Sequence, residues 1–522
     1  MSETIYLKNI SGQNFFIPEI NQSKAIGSDP NKVWKVNRSI LDENTLVRGL
    51  VNAGKFIVVD YQEPSEPIAE IESKPKARDV SSIKEENSVD RHLKNLGPSK
   101  KIEEKVDDVF SFGDASIQKK ENNTKIEIVE NKIETIKKTE PNKPNVWWRG
   151  PANDMGGYGK MNRYCLQGLY ESGVHIELDM HNIPSIRNTI PLTEGMEEML
   201  NNKVSPKAPS VWAIMPPKFP TRQGKIIYFT MLESGAIHPS FLKKLNNADE
   251  IWVPSKFNMN VLQQEDLKAD LHHIPLGVDT SIYNKKEVTP KDRSKFNIVT
   301  KGFTFISVFG WSLRKGNDVL LKSYLKSFDG NDDVTLLIVS RLNGSSSVEN
   351  IKRIREEISS YIRTYSKSPN NHPHIVHIGV GIPEQDMPLL YNMCNCFVMP
   401  SRGEGFGLPY IEAGACGLPV IATRCGGQLD FLNDENAYLV DIEGYGMEKQ
   451  EIKDISSYYE DVPFAVLGQT AISQLAEMMR EVYINRRESS ERGEILMRHI
   501  QENFTWDKAV QKIHERIVAG QR

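Results

Sequence analysis

From Asn145 onward the chain alternates short apolar runs with longer amphipathic stretches, and that alternation leaves few folds open. Strands are predicted at Asn145–Gly150, His175–Met180, Ser210–Met215, Lys225–Met231, Glu250–Pro254 and His272–Leu276. Helices fall after Gly159, near Pro239 and from Lys256. A second series follows, with strands at Phe303–Gly310, Val334–Arg341, Ile375–Gly379, Cys396–Pro400, Pro419–Thr423 and Ala437–Val440. Its helices are read near Asn317–Ser327, Val348–Tyr365, Glu384–Cys394, Pro409–Cys416 and Gly427–Leu432, and Gly468–Gln521 reads as helical. Two successive series of this kind imply an α/β chain with two Rossmann-like, doubly wound domains. Ligands bind in the cleft between such domains.

The densest chemistry lies between Val398 and Val420. Glu404 and Glu412 stand eight positions apart, with Gly405, Phe406, Gly407 and Leu408 between them and Pro409 opening the next helix. Proline suits a first helical position, where its missing N–H costs nothing. The loop thus ends at a helix N-terminus whose N–H groups suit a phosphate. Gly405 and Gly407 let the backbone approach a ligand closely. Glu404 precedes the helix and Glu412 sits in its first turn, so both can face one ligand from different heights.

This pattern, E-G-F-G-L-P-x-x-E, resembles the Glu-x7-Glu signature of retaining nucleotide-sugar glycosyltransferases of the GT-B fold, the glycosyl transferases group 1 type. The resemblance covers about Asn145 to Gln521. It implies that Glu404 lies beside the donor sugar, that the amides of Gly405, Phe406, Gly407 and Leu408 hold sugar and diphosphate, and that Glu412 accepts the ribose hydroxyls. An ionised carboxylate is acceptor-only and can take both hydroxyls of a cis diol. The family also places an Arg and a Lys after the first strand of the second domain. Here Arg314 and Lys315 stand adjacent in VFGWSLRKGNDVLL, where relatives commonly separate them. Two cations there would stabilise charge on the leaving diphosphate.

The first-domain residues are less specific. Gly156–Gly159 is a glycine-rich loop at a helix start, matching the family's first loop; Gly157 is its donor-facing candidate and Asp154 a candidate on the acceptor side. Glu233 in TMLESGAIHP reads equally as an acceptor-side residue or as a loop-capping carboxylate. Many relatives carry a His where this chain has Ala213–Phe219, which contains none; His181 and Lys218 are the alternatives. Gly426 and Gly427 in RCGGQLD shape another helix start near the cleft. The resemblance implies no bound metal and no cofactor beyond the sugar nucleotide, UDP- or GDP-linked, with a glycan or other hydroxyl as acceptor.

The remaining sequence frames this pair. Residues 1–60 read as a small α+β module with strands at Thr4–Asn9, Asn14–Pro18, Val33–Val36 and Lys55–Asp60 and a helix from Asp42. Residues 61–144 are rich in Lys, Glu, Asn, Ser and Pro and read as a disordered linker, with patches at Val106–Asp114 and Thr124–Lys138. Residues 145–295 form the expected acceptor domain, 296–500 the donor domain, and 501–522 a helix returning to the first. A net charge of −4 gives no case for nucleic acid. Cys165, Cys394, Cys396, Cys416 and Cys425 include no CxxC pair and read as buried reduced thiols, with Cys394 and Cys396 at a strand edge. No signal peptide or membrane span is read, so a cytoplasmic enzyme is expected. The rival class is an inactive sugar-binding or virion-associated structural protein whose N-terminal module docks a protein partner.

Overall fold

The computed structural model describes residues 4–9, 33–37, 56–59, 143–180, 190–214, 222–296, 298–447 and 457–521. The linker up to residue 142 with its two patches, the strand at Asn14–Pro18 and the helix from Asp42 lie outside them. In the N-terminal module β1 (Thr4–Asn9) pairs antiparallel with β2 (Val33–Asn37) on one side and β3 (Phe56–Val59) on the other.

The first large sheet holds β4 (Asn145–Arg149), β5 (His175–Asp179), β6 (Ser210–Trp212), β7 (Ile226–Phe229), β8 (Glu250–Val253) and β9 (Asp270–His273). All pair in parallel, in the order β5-β4-β6-β7-β8-β9. Helices α1 (Gly157–Glu171), α2 (Glu194–Asn201), α3 (Pro239–Leu245) and α4 (Lys256–Gln263) make its connections. The short α5 (Pro290–Ser294), closed by a Thr289/Asp292 capping box, leads into the second domain. The last strand starts earlier than predicted, because β8 fixes its register from Glu250↔Asp270 to Val253↔His273.

The second sheet contains β10 (Phe303–Gly310), β11 (Val334–Arg341), β12 (His374–Ile378), β13 (Cys396–Met399), β14 (Val420–Thr423) and β15 (Tyr438–Val440). Its order is β12-β11-β10-β13-β14-β15, again all parallel. Helices α6 (Asn317–Ser327), α7 (Val348–Tyr365), α8 (Met387–Asn392) and α9 (Leu408–Ala415) connect them. Strands β11 and β13 are almost wholly buried, as expected when helices cover both faces of a parallel sheet. β13 lies inside the sheet, so Cys396 is a core residue and not part of an edge. All five cysteines are free thiols and buried. The helix predicted over Glu384–Cys394 opens with a 3-10 turn, Glu384–Asp386, and that over Gly427–Leu432 is a single 3-10 turn, Gly427–Asp430.

The strand order reverses between β10 and β13, and the chain that leaves their carboxyl ends lines the crevice typical of such sheets. One glycine makes this geometry possible. Gly316 has φ 74°, and a Cβ there would collide with the Pro400 carbonyl at the end of β13. Gly316→Ala is expected to destabilise the fold by roughly 1–3 kcal/mol, the cost of holding a side chain in sparsely populated backbone space. Thermal unfolding checks this, and an unchanged Tm would show that the turn relaxes.

Two segments tie the domains together. A hairpin of β16 (Tyr445–Met447) and β17 (Pro463–Ala465) leaves the second domain, and Gly235 N–H of the first donates to the Pro463 carbonyl at 2.7 Å. The tail forms α10 (Gln469–Ile484), α11 (Arg486–Asn503) and α12 (Trp506–Ala519). Ile500 and Leu496 of α11 pack on Gly414 of α9, whereas α12 lies on α1, with Trp506 stacked on Tyr164 at 4.9 Å. Arg516 pairs with Glu250, a fully buried carboxylate that also meets Lys225. None of the helices in the described residues is long and apolar enough to cross a membrane.

Candidate active site

The cleft floor is built where β10 and β13 end. After Gly310 the chain turns through Leu313–Lys315, and the buried Arg402 holds that turn from below. Its guanidinium donates to both Asp318 carboxylate oxygens, at 2.7 and 3.0 Å, and to the Leu313 carbonyl at 2.6 Å. Asp318 is held below the usual carboxylate range because Arg402 outweighs the burial that opposes its ionisation. The backbone closes the same clamp, Arg402 N–H donating to the Arg314 carbonyl at 2.7 Å.

Arg314 and Lys315 thereby project into the cleft. Lys315 Nζ lies 2.5 Å from Glu404 Oε1, and Arg314 Nη1 lies 4.0 Å from the same oxygen. Burial opposes ionisation of Glu404, but the two cations prevail and hold its pKa down. Arg314 also donates to the Gly403 carbonyl at 2.7 Å, so it is fixed to the loop that carries Glu404.

That loop is pressed between domains. A Cβ on Gly405 would sit 2.7 Å from Met231, and one on Gly157 would meet Leu408 at 3.9 Å. Gly407 caps α9 with φ 97°. Leu408 is the first helical residue, which moves Pro409 to the second position, still within the turn that needs no N–H. Phe406 is buried against Phe431 and Phe504, so only its backbone remains for a ligand.

Glu412 lies one turn into α9 and faces a different set of groups from Glu404. Lys160 of α1 reaches its Oε1 at 2.6 Å, and Tyr391 donates to its Oε2 at 3.2 Å. Lys160 also contacts Glu384 at 2.9 Å and the Tyr283 hydroxyl at 2.9 Å. Glu384 is further held by Arg163 at 3.3 Å and Tyr164 at 3.1 Å. Burial raises the Glu412 carboxyl above its ordinary pKa, since it shares its one cation with Glu384; Glu384, with Lys160 and Arg163, is held low against its own burial.

The first domain contributes two further pieces. Asp154 shapes its own loop, its Oδ1 accepting from Gly156 N–H at 2.5 Å, which is a turn-forming contact. Gly159 lies inside α1, where a Cβ would collide with the Asp154 carbonyl. Glu233, on the loop after β7, reaches Arg314 at 3.1 Å, and Tyr158 supports that loop by accepting from Met231 N–H at 3.2 Å. His181 and Lys218 lie outside the described residues. Asp430 of the RCGGQLD stretch binds across the domains, accepting from Lys256 N–H at 3.1 Å and contacting His273 at 2.9 Å.

The structure thus gathers Glu404, Arg314, Lys315 and Glu233 in one cluster, and Glu412, Glu384 and Lys160 in another. Lys160, Glu384, Tyr283 and the Arg402–Asp318 pair are the residues that sequence reasoning missed. Lys160 directly follows the glycine loop and Glu384 follows the turn after β12, but their partners lie far along the chain and no local signal joins them. Among the described residues no group of three His, Cys, Asp or Glu side chains has the arrangement of a metal site.

Two parallel Rossmann-like sheets facing a cleft, crossed by a C-terminal helix, define the GT-B fold. Residues 288–460 match the model of the family described as glycosyl transferases group 1. A GDP-mannose-dependent alpha-(1-6)-phosphatidylinositol monomannoside mannosyltransferase of Mycolicibacterium smegmatis is 27% identical over 191 residues, 35% of this chain and 46% of that protein. The match therefore spans less than half the length of that relative. Sucrose-phosphate synthase from Thermosynechococcus elongatus has the same fold, with a TM-score of 0.51 at 17% identity over 72% of this chain and 98% of that one. So does a glycosyltransferase from Rickettsia africae, at TM-score 0.53 and 16% identity over 73% and 99% of the two chains.

Proposed function

We propose that this chain is a retaining, metal-independent hexosyltransferase that moves a hexose from a UDP- or GDP-linked sugar to a hydroxyl of a glycan or other acceptor. The observation that carries the reading is the Arg314–Lys315–Glu404 cluster at the point where the second sheet reverses its order. Arg314 and Lys315 take the diphosphate, and the N-terminal turn of α9 adds N–H donors. Glu412 takes the ribose hydroxyls, and Glu404 orients the sugar without attacking it. The bond from the anomeric carbon to the phosphate oxygen breaks first. The leaving phosphate then accepts the proton of the incoming hydroxyl, whose oxygen bonds to the same face. The cations act most strongly as charge grows on the leaving oxygen.

GDP-mannose in the name of the M. smegmatis relative supports the GDP arm of this reading. The acceptor enters from the domain at 145–295, and residues 296–500 carry the donor. Five buried, reduced thiols support a cytoplasmic setting. Calorimetry with GDP and UDP tests the donor assignment. Glu412→Ala is expected to weaken the preferred nucleotide by roughly 1.5–3 kcal/mol, the contribution of hydrogen bonds to a charged group. Unchanged affinity removes Glu412 from the site.

A further inference from the structure

We propose that two first-domain side chains, Lys160 and Glu233, hold the contacts that the sugar nucleotide needs and set its affinity by competing for them. The proposal rests on the donor-binding roles given above to Glu412, Arg314 and Lys315. Each end of the donor has its rival. At the ribose end, Lys160 Nζ lies 2.6 Å from Glu412 Oε1, the atom that would accept a ribose hydroxyl. At the diphosphate end, Glu233 Oε1 lies 3.1 Å from Arg314 Nη1, placing an anion where a phosphate oxygen would go. The mimicry matches in charge: a donor group stands in for the hydroxyls and a carboxylate for the phosphate.

Both rivals come from the first domain and both targets from the second, so the exchange is coupled to how the domains meet. Lys160 has somewhere to go. Glu384 lies 2.9 Å from its Nζ and Tyr283 at the same distance, so it can yield Glu412 to a ribose and remain paired. Glu233 rides on a loop that the second domain grips on two sides, through Gly235 on Pro463 and through Gly403, whose Cβ would strike the Glu233 carbonyl. Displaced from Arg314, its carboxylate therefore stays in the cleft, on the side from which an acceptor arrives.

The two rivals predict different ligand dependences, which calorimetry on the full chain separates. The probes are GDP, UDP, guanosine and uridine. Glu233→Gln is expected to tighten the preferred diphosphate about tenfold, the scale of one charge-assisted hydrogen bond, and to leave its nucleoside unchanged. Lys160→Met is expected to tighten nucleoside and diphosphate alike, by a similar factor. Lys160→Gln serves in its place if the methionine variant does not fold. Lys315→Ala is the control for the underlying reading. If neither diphosphate binds the wild-type chain, or Lys315→Ala leaves affinity unchanged, the donor site itself is wrong and the inference falls with it. If Lys315→Ala weakens binding while either rival's variant binds its ligands no tighter, the donor site stands and this proposal is overturned.

Discussion

Lys315→Ala is expected to lower kcat by roughly 10²–10³, as removal of one preorganised donor at a site of developing charge does. The Lys315 side chain is largely shielded, 14% exposed, and its ammonium lies 2.5 Å from Glu404, so water substitutes poorly for it at that position. Binding of the nucleoside diphosphate should fall less than turnover, because leaving-group charge grows toward the transition state. Steady-state kinetics beside calorimetry separates the two. Equal losses in affinity and in kcat/KM with kcat intact would reduce Lys315 to uniform donor binding.

Arg402→Ala is expected to destabilise the chain by about 3–5 kcal/mol, the cost of stranding one partner of a buried ion pair. Asp318 would lose both guanidinium contacts, and Lys322 at 3.8 Å is too distant to replace them. The clamp on Leu313–Lys315 would go with it, so residual activity should fall beyond the effect on folding. The sign of its pH dependence follows from Asp318. A carboxyl whose folded pKa lies below its ordinary 3.8 stabilises the fold above that value and loses the contribution as pH falls further. Denaturant unfolding at pH 7 and below pH 4 should therefore show the wild-type advantage over Arg402→Ala shrinking in acid. A variant as stable as wild type at pH 7 would show that the pair is dispensable.

What the sequence disclosed was what is local along the chain. Strands such as Phe303–Gly310 and Val334–Arg341 were read to the residue, because eight consecutive, mostly apolar positions leave no other partner than a sheet interior. Glu404, Arg314 and Lys315 were legible through the resemblance: Glu404 opens the E-G-F-G-L-P-x-x-E stretch, and Arg314 and Lys315 stand between a strand and Gly316. Lys160 was not, since its partner Glu412 lies 252 positions away and nothing near Lys160 marks it as other than a surface lysine on an amphipathic helix. Glu384 and Tyr283 were hidden for the same reason. The β16–β17 hairpin, Tyr445–Met447 and Pro463–Ala465, was not read from the sequence. Phe406 divides its parts: the resemblance assigns its amide to the donor, and its ring belongs to a core shared with Phe431 and Phe504.

The central claim is transfer with retention at this cleft, and its most direct measurement is the anomeric outcome of turnover by the full chain. The protein is incubated with GDP-mannose and, separately, with UDP-glucose, and release of the nucleoside diphosphate is followed together with the anomer first formed, by proton NMR. The account predicts that one donor is consumed, that the first product keeps the α configuration of the donor, and that Lys315→Ala removes most of the turnover. A β-configured first product would contradict the retaining mechanism, and release that persists undiminished in Lys315→Ala would place the chemistry elsewhere.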